Sequence, residues 1–85
     1  MPELSRFMGI IVAMYYRDHG PPHFHALYGE HEATIVIETG VVTGHLPRRS
    51  LKQVQAWRSL HMQELLTAWA LAERREPLPN IKPLE

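Results

Sequence analysis

The spacing of apolar and polar residues changes twice along the chain, and each change marks a different kind of element. Residues 9–16, Gly-Ile-Ile-Val-Ala-Met-Tyr-Tyr, are almost continuously apolar and rich in β-branched and aromatic side chains. That pattern predicts a strand buried on much of both faces. Gly20-Pro21-Pro22 then interrupts regular structure, because proline lacks an N–H and restricts the residue before it. From His23 to Tyr28 the pattern alternates, with Phe24, Ala26 and Tyr28 on one face and His23, His25 and Leu27 on the other. The polar Gly29-Glu30-His31-Glu32 predicts a turn, so the strand over 33–38 returns antiparallel with Ala33, Ile35 and Ile37 on its apolar face. Thr39-Gly40 predicts another turn, and a fourth strand follows over 41–46. The simplest topology for these lengths is a four-stranded meander.

Beyond Pro47 the period becomes helical. Ser50-Leu51-Lys52-Gln53 has the form of a capping box, which makes Ser50 the expected N-cap. No Gly or Pro occurs from Leu51 to Arg75, and good helix formers dominate. At helical spacing, Leu51, Val54, Arg58, His61, Leu65, Ala68, Trp69 and Ala72 share one side. Trp57, Leu60 and Leu71 widen this arc beyond what one contact with a sheet requires. Either the helix breaks near residues 59–61 or part of it docks on another chain; one long helix, kinked or straight, is the expectation. Prolines at 77, 79 and 83 make the tail extended. The predicted fold class is α+β, in a single domain over residues 1–85.

Composition narrows the function classes. Lysine plus arginine and aspartate plus glutamate number nine each, so the net charge is zero with histidine neutral. A bulk attraction to nucleic acid or to an anionic membrane is thereby removed, and association with a protein partner or with a second copy becomes easier. The chain has no cysteine, which excludes disulfides and thiolate metal sites. The N-terminal residues lack a leader pattern and the apolar run 10–16 is too short to span a bilayer, so a cytoplasmic location and no membrane association are expected.

Candidate chemistry concentrates in Arg17-Asp18-His19-Gly20-Pro21-Pro22-His23-Phe24-His25, which holds three of the six histidines around a stiff break. Asp18, His19, His23 and His25 are the candidate site residues. His23 and His25 share a strand face with side chains roughly 7 Å apart. His61 and Glu64, at i and i+3 on the helix, are the candidates to complete the group. His61 alone also reads as a core histidine bonded to a carbonyl, to Tyr15 or to Tyr16. Arg17, Arg48 and Arg49 are the candidate phosphate-binding groups.

Several stretches resemble a known family: Ser5-Arg6-Phe7, Gly9-Ile10, Met14-Tyr15 with Asp18-His19, Pro21-Pro22-His23-Phe24-His25 and Tyr28-Gly29-Glu30. So do Gly44, Leu46-Pro47, Trp57, Leu60-His61, Glu64-Leu65, Trp69, Ile81 and Pro83-Leu84. The family is the small bacterial domain-of-unknown-function family 4160. Ala26 departs from it where a larger β-branched residue is expected. The resemblance implies a component of a toxin–antitoxin-type pair with a small cognate partner protein, and a toxin of this size is commonly a ribonuclease. It carries no site residues of its own.

Three functional readings of the histidine loop follow. In the first, the toxin half of such a pair cleaves RNA without a metal: His23 and His25 exchange protons near neutral pH, His19 and Asp18 orient them, and the arginines hold phosphate. In the second, His19, His23 and His25 bind a transition metal such as zinc, although their spacing matches no specific metal motif. In the third, the loop is architecture in a non-catalytic interaction module, with Asp18 accepting backbone N–H bonds. The first is the expectation carried forward.

Overall fold

The computed structural model describes residues 2–85. Five strands precede two helices: β1 Glu3–Phe7, β2 Ile10–Ala13, β3 His23–Tyr28, β4 His31–Val36, β5 Val42–Gly44, α1 Arg48–Leu60 and α2 Met62–Glu73. The strands form one antiparallel sheet in the order β1-β2-β3-β4-β5. The fold is therefore the α+β meander that the pattern predicts, with one strand more. The additional strand is β1, whose sequence Glu-Leu-Ser-Arg-Phe carries only two apolar side chains. It pairs with β2 across the two-residue loop Met8-Gly9.

Alternation sets the two faces of the sheet. Val12, Ala26, Ala33, Phe24 and Ile35 point inward and are fully or almost fully buried. The register that stacks them, Val12↔Ala26, Ala26↔Ala33 and Phe24↔Ile35, places His25 opposite both Ala13 and Thr34 on the outer face. The strand predicted over 33–38 begins two residues earlier, because Gly29 and Glu30 alone make the loop and Tyr28 pairs directly with His31. Ile37–Thr39 then belong to the following turn.

Two corrections concern the helix. It starts at Arg48, with Pro47 in the cap position and no side-chain cap; Ser50 is buried inside the first turn instead of capping it. The continuous helix is also interrupted. His61 lies at φ −119° and ψ 25°, ends α1 and precedes α2, and its carbonyl accepts the Leu65 N–H at 2.9 Å. Residues of both halves belong to one core.

That core centres on Trp57, whose ring meets Phe7 at 5.5 Å and Phe24 at 5.7 Å between centroids. Leu65, Ala68, Trp69 and Ala72 of α2 join the same cluster. Burying side chains of this size contributes about 1.5–3 kcal/mol each. The tail closes the remaining side: Ile81 is buried, its N–H donates to the Leu4 carbonyl at 2.8 Å, and Trp57 Nε1 donates to the Lys82 carbonyl at 2.9 Å. Among the described residues no helix is long and apolar enough to cross a membrane.

Candidate functional site

The loop between β2 and β3 is tied down at both ends. Met14 N–H donates to the Pro2 carbonyl at 3.1 Å, and Ile37 N–H donates to the Pro22 carbonyl at 2.9 Å. Between these anchors the chain turns at Tyr16-Arg17, with Arg17 in the left-handed region at φ +64°, and passes a cis Gly20-Pro21 bond. The Tyr16 hydroxyl donates to the Glu76 carbonyl at 3.0 Å, which ties the loop to the start of the tail. This course brings Asp18 back over the outer face of β3, where His23 and His25 stand two positions apart.

Asp18 Oδ2 lies 2.7 Å from His23 Nε2 and 3.2 Å from His25 Nε2. Only 12% of each imidazole and 29% of the carboxylate side chain is exposed. Tyr15 packs on His25, with ring centroids 4.1 Å apart, and Trp69 of α2 packs on His23 at 5.1 Å. The outer nitrogens face acceptors as well. His23 Nδ1 is 2.9 Å from the Pro21 carbonyl oxygen. His25 Nδ1 is buried and makes no hydrogen bond; Glu32 Oε2, at 3.4 Å, is close enough for attraction but poorly placed to accept.

These contacts fix where the protons go. A carbonyl oxygen only accepts, so His23 must carry its hydrogen on Nδ1. In a neutral His23 the bare Nε2 lone pair then faces the lone pairs of an ionised Asp18 at 2.7 Å. The Nε2 atom is thus directed at the carboxylate, where the two can share a proton or serve as neighbouring ligands to one ion. Burial alone would raise the Asp18 pKa. Hydrogen bonds with His25 and His23, attraction to His23, and the His19 N–H bonded to Oδ1 at 3.1 Å outweigh it and hold the carboxyl below its ordinary value.

The same geometry suits an ion. Asp18, His23 and His25 each offer one ligand atom, all within 4.8 Å of one another. At metal–ligand distances of about 2.0–2.1 Å, neighbouring ligands stand roughly 2.9–3.3 Å apart, so separations of 2.7 and 3.2 Å need only small adjustment. Two histidines and one carboxylate form the set that leaves coordination positions open. The Pro21 carbonyl behind His23 occupies the place from which an outer partner orients a ligating histidine, while Glu32 lies near His25 Nδ1 without bonding it.

The match to known proteins lies along this same segment. The model of the family described as Domain of unknown function (DUF4160) covers residues 9–70, well over half of the chain. This chain belongs to that family. No curated protein and no solved structure matches it. The matched DUF4160 range contains the three converging residues and Trp69, while β1 and the tail fall outside it.

Of the residues singled out in the sequence, DUF4160 topology gathers some and separates others. His19 is exposed and reaches the group through its backbone N–H, so Asp18 takes the place that the metal reading gave to it. Arg17 stands next to the site, in a narrow cleft with Tyr15, Asp18, Trp69, Ala72 and Glu73. Arg49 lines a different hollow with Met8 and Tyr28. Tyr28 ends the strand that His23 begins, roughly 16 Å away at the rise of a strand. Arg48 is an exposed residue in the first turn of α1. His61 and Glu64 pair with each other, Nδ1 to Oε1 at 2.7 Å, and neither joins the Asp18 group. His61 bonds neither Tyr15 nor Tyr16. Sequence reasoning overlooked Glu32 and the role of Trp69. Glu32 could have been found from register, since it shares the outer face of β4 with Thr34, the partner of His25.

Proposed function

We propose that this domain binds one divalent transition-metal ion through Asp18 Oδ2, His23 Nε2 and His25 Nε2, with coordination positions left open toward the Arg17 cleft. The observation that carries the reading is the convergence of three ligand atoms within 4.8 Å of one another, helped by the Nδ1–H bond of His23 to Pro21. That bond turns the Nε2 lone pair onto a carboxylate that is itself rich in lone pairs. An ion there would supply Lewis-acid chemistry at a half-buried site, which is how small domains polarise a bound substrate oxygen.

Cleavage of RNA by histidines alone is the second reading, and the Arg17 cleft beside Asp18 favours it. It requires the two imidazoles to meet a substrate from different sides. Both Nε2 atoms turn instead to the same carboxylate oxygen, so the ion takes precedence. Either chemistry is compatible with the biological setting implied by the resemblance, a toxin-side member of a two-protein bacterial module working beside a small partner.

Calorimetry on chelator-treated protein decides between them. Zinc or cobalt should bind at one ion per chain, with affinity at least tenfold lower in Asp18→Asn and His23→Ala and unchanged in His19→Ala. Folded wild-type protein that takes up no stoichiometric ion would overturn the metal reading. RNA cleavage by such ion-free protein, lost in His23→Ala and His25→Ala, would establish the second.

A further inference from the structure

We infer that the open side of this centre takes a phosphoryl oxygen, with the Arg17 guanidinium as its second anchor; the inference rests on the ion reading above. Asp18 belongs both to the converging group and to the wall of the cleft, so the cleft borders the ligand cluster on its Asp18 side. Its cavity of about 10 Å³ has room for one water-sized group. A single ligand oxygen fits there, while the rest of the bound molecule stays on the rim.

Charge selects the class of that oxygen. A divalent ion held by one carboxylate and two neutral imidazoles keeps a net positive charge, and Arg17 adds another at the rim. Glu73, on the same wall, and Glu32, behind His25, lower the net charge of the surroundings, so the positive charge that faces a ligand is that of the ion and of Arg17. Arg17 makes no ion pair among the described residues, whereas Arg6 and Arg74 are each matched by a glutamate. Its left-handed backbone fixes where the side chain leaves the loop, directly before the ligating Asp18. Arginine's planar fork bonds two phosphate oxygens at once, and phosphate can lend a further oxygen to the ion.

Cobalt-loaded full-length protein tests this by its visible spectrum, after cobalt content has been measured separately. Inorganic phosphate should shift the spectrum saturably. Arg17→Gln should weaken that binding roughly tenfold with cobalt content unchanged, and Arg49→Gln should leave it as in wild type. Dimethyl phosphate is the companion probe: a response to both supports the inference with a diester as ligand, and a response to inorganic phosphate alone supports it with a monoester. Cobalt bound at one per chain with a spectrum that neither phosphate alters would overturn the inference and leave the ion reading standing. Equal binding by Arg17→Gln and wild type would overturn it as well. Failure to bind cobalt would remove the ion reading, and this inference with it.

Discussion

Asp18 is the residue on which the site turns, and its ionisation is linked to folding. Burial disfavours its charge, but the bonds with His25 and His23 and the His19 N–H depress its pKa below that of an unfolded aspartate, about 3.9. A depressed carboxylate contributes stability that is fully present above the unfolded value and is lost as pH falls through the folded one. In ion-free protein, thermal melting followed by circular dichroism should therefore show wild type losing more stability below about pH 4 than Asp18→Asn. Glu32 yields a second expectation at this scale. Glu32→Gln keeps every ligand and removes only the attraction at 3.4 Å behind His25 Nδ1, so ion affinity measured by calorimetry should fall by less than about tenfold. The sequence placed His23 and His25 side by side, because alternation along a strand is local. It could not place Glu32 behind them or take His19 away from them. Those positions depend on register and on how the loop closes.

At the scale of elements, the close approach of β5 to β4 and the clasp of the tail are the points most sensitive to change. Gly44 sits at φ +98°, and a Cβ there would come 2.6 Å from the Glu32 carbonyl oxygen, which is backbone and has little freedom to yield. Gly44→Ala should cost roughly 1–3 kcal/mol in urea unfolding at unchanged m-value. Trp57 joins α1, the sheet and the tail, so Trp57→Phe should preserve most of the core but free the Lys82 carbonyl. Hydrogen exchange at Ile81 should accelerate while that at β3 stays protected. The meander and the helical third of the chain were legible because their periodicities are strong. β1 was not, since two apolar residues in five set no period and its pairing depends on β2 and the tail. The cap was misplaced for a related reason. A capping-box pattern describes local preference, and burial of Ser50 overrides it. The break at His61 falls within the stretch that the over-wide apolar arc flagged, although no glycine or proline marks it.

For the whole molecule, ion binding and folding should be one equilibrium. An ion that binds only the folded state adds about 2.7 kcal/mol at a hundredfold excess over its dissociation constant. Differential scanning fluorimetry should thus show Tm rising with zinc concentration and returning on addition of chelator. Asp18→Asn should need at least tenfold more zinc for the same rise. The zero net charge of the chain leaves this balance free of strong self-repulsion.

Ile81 reaches back to Leu4 across 77 positions of sequence, which imposes an order on biosynthesis. At about 5–20 residues per second, roughly 4–15 s pass between the emergence of these two partners from the ribosome. Throughout that interval the first strand is a bare margin able to pair with a neighbouring nascent chain. Glu3 and Arg6, charged and facing solvent on that strand, are well suited to act as its chaperones until Ile81 arrives.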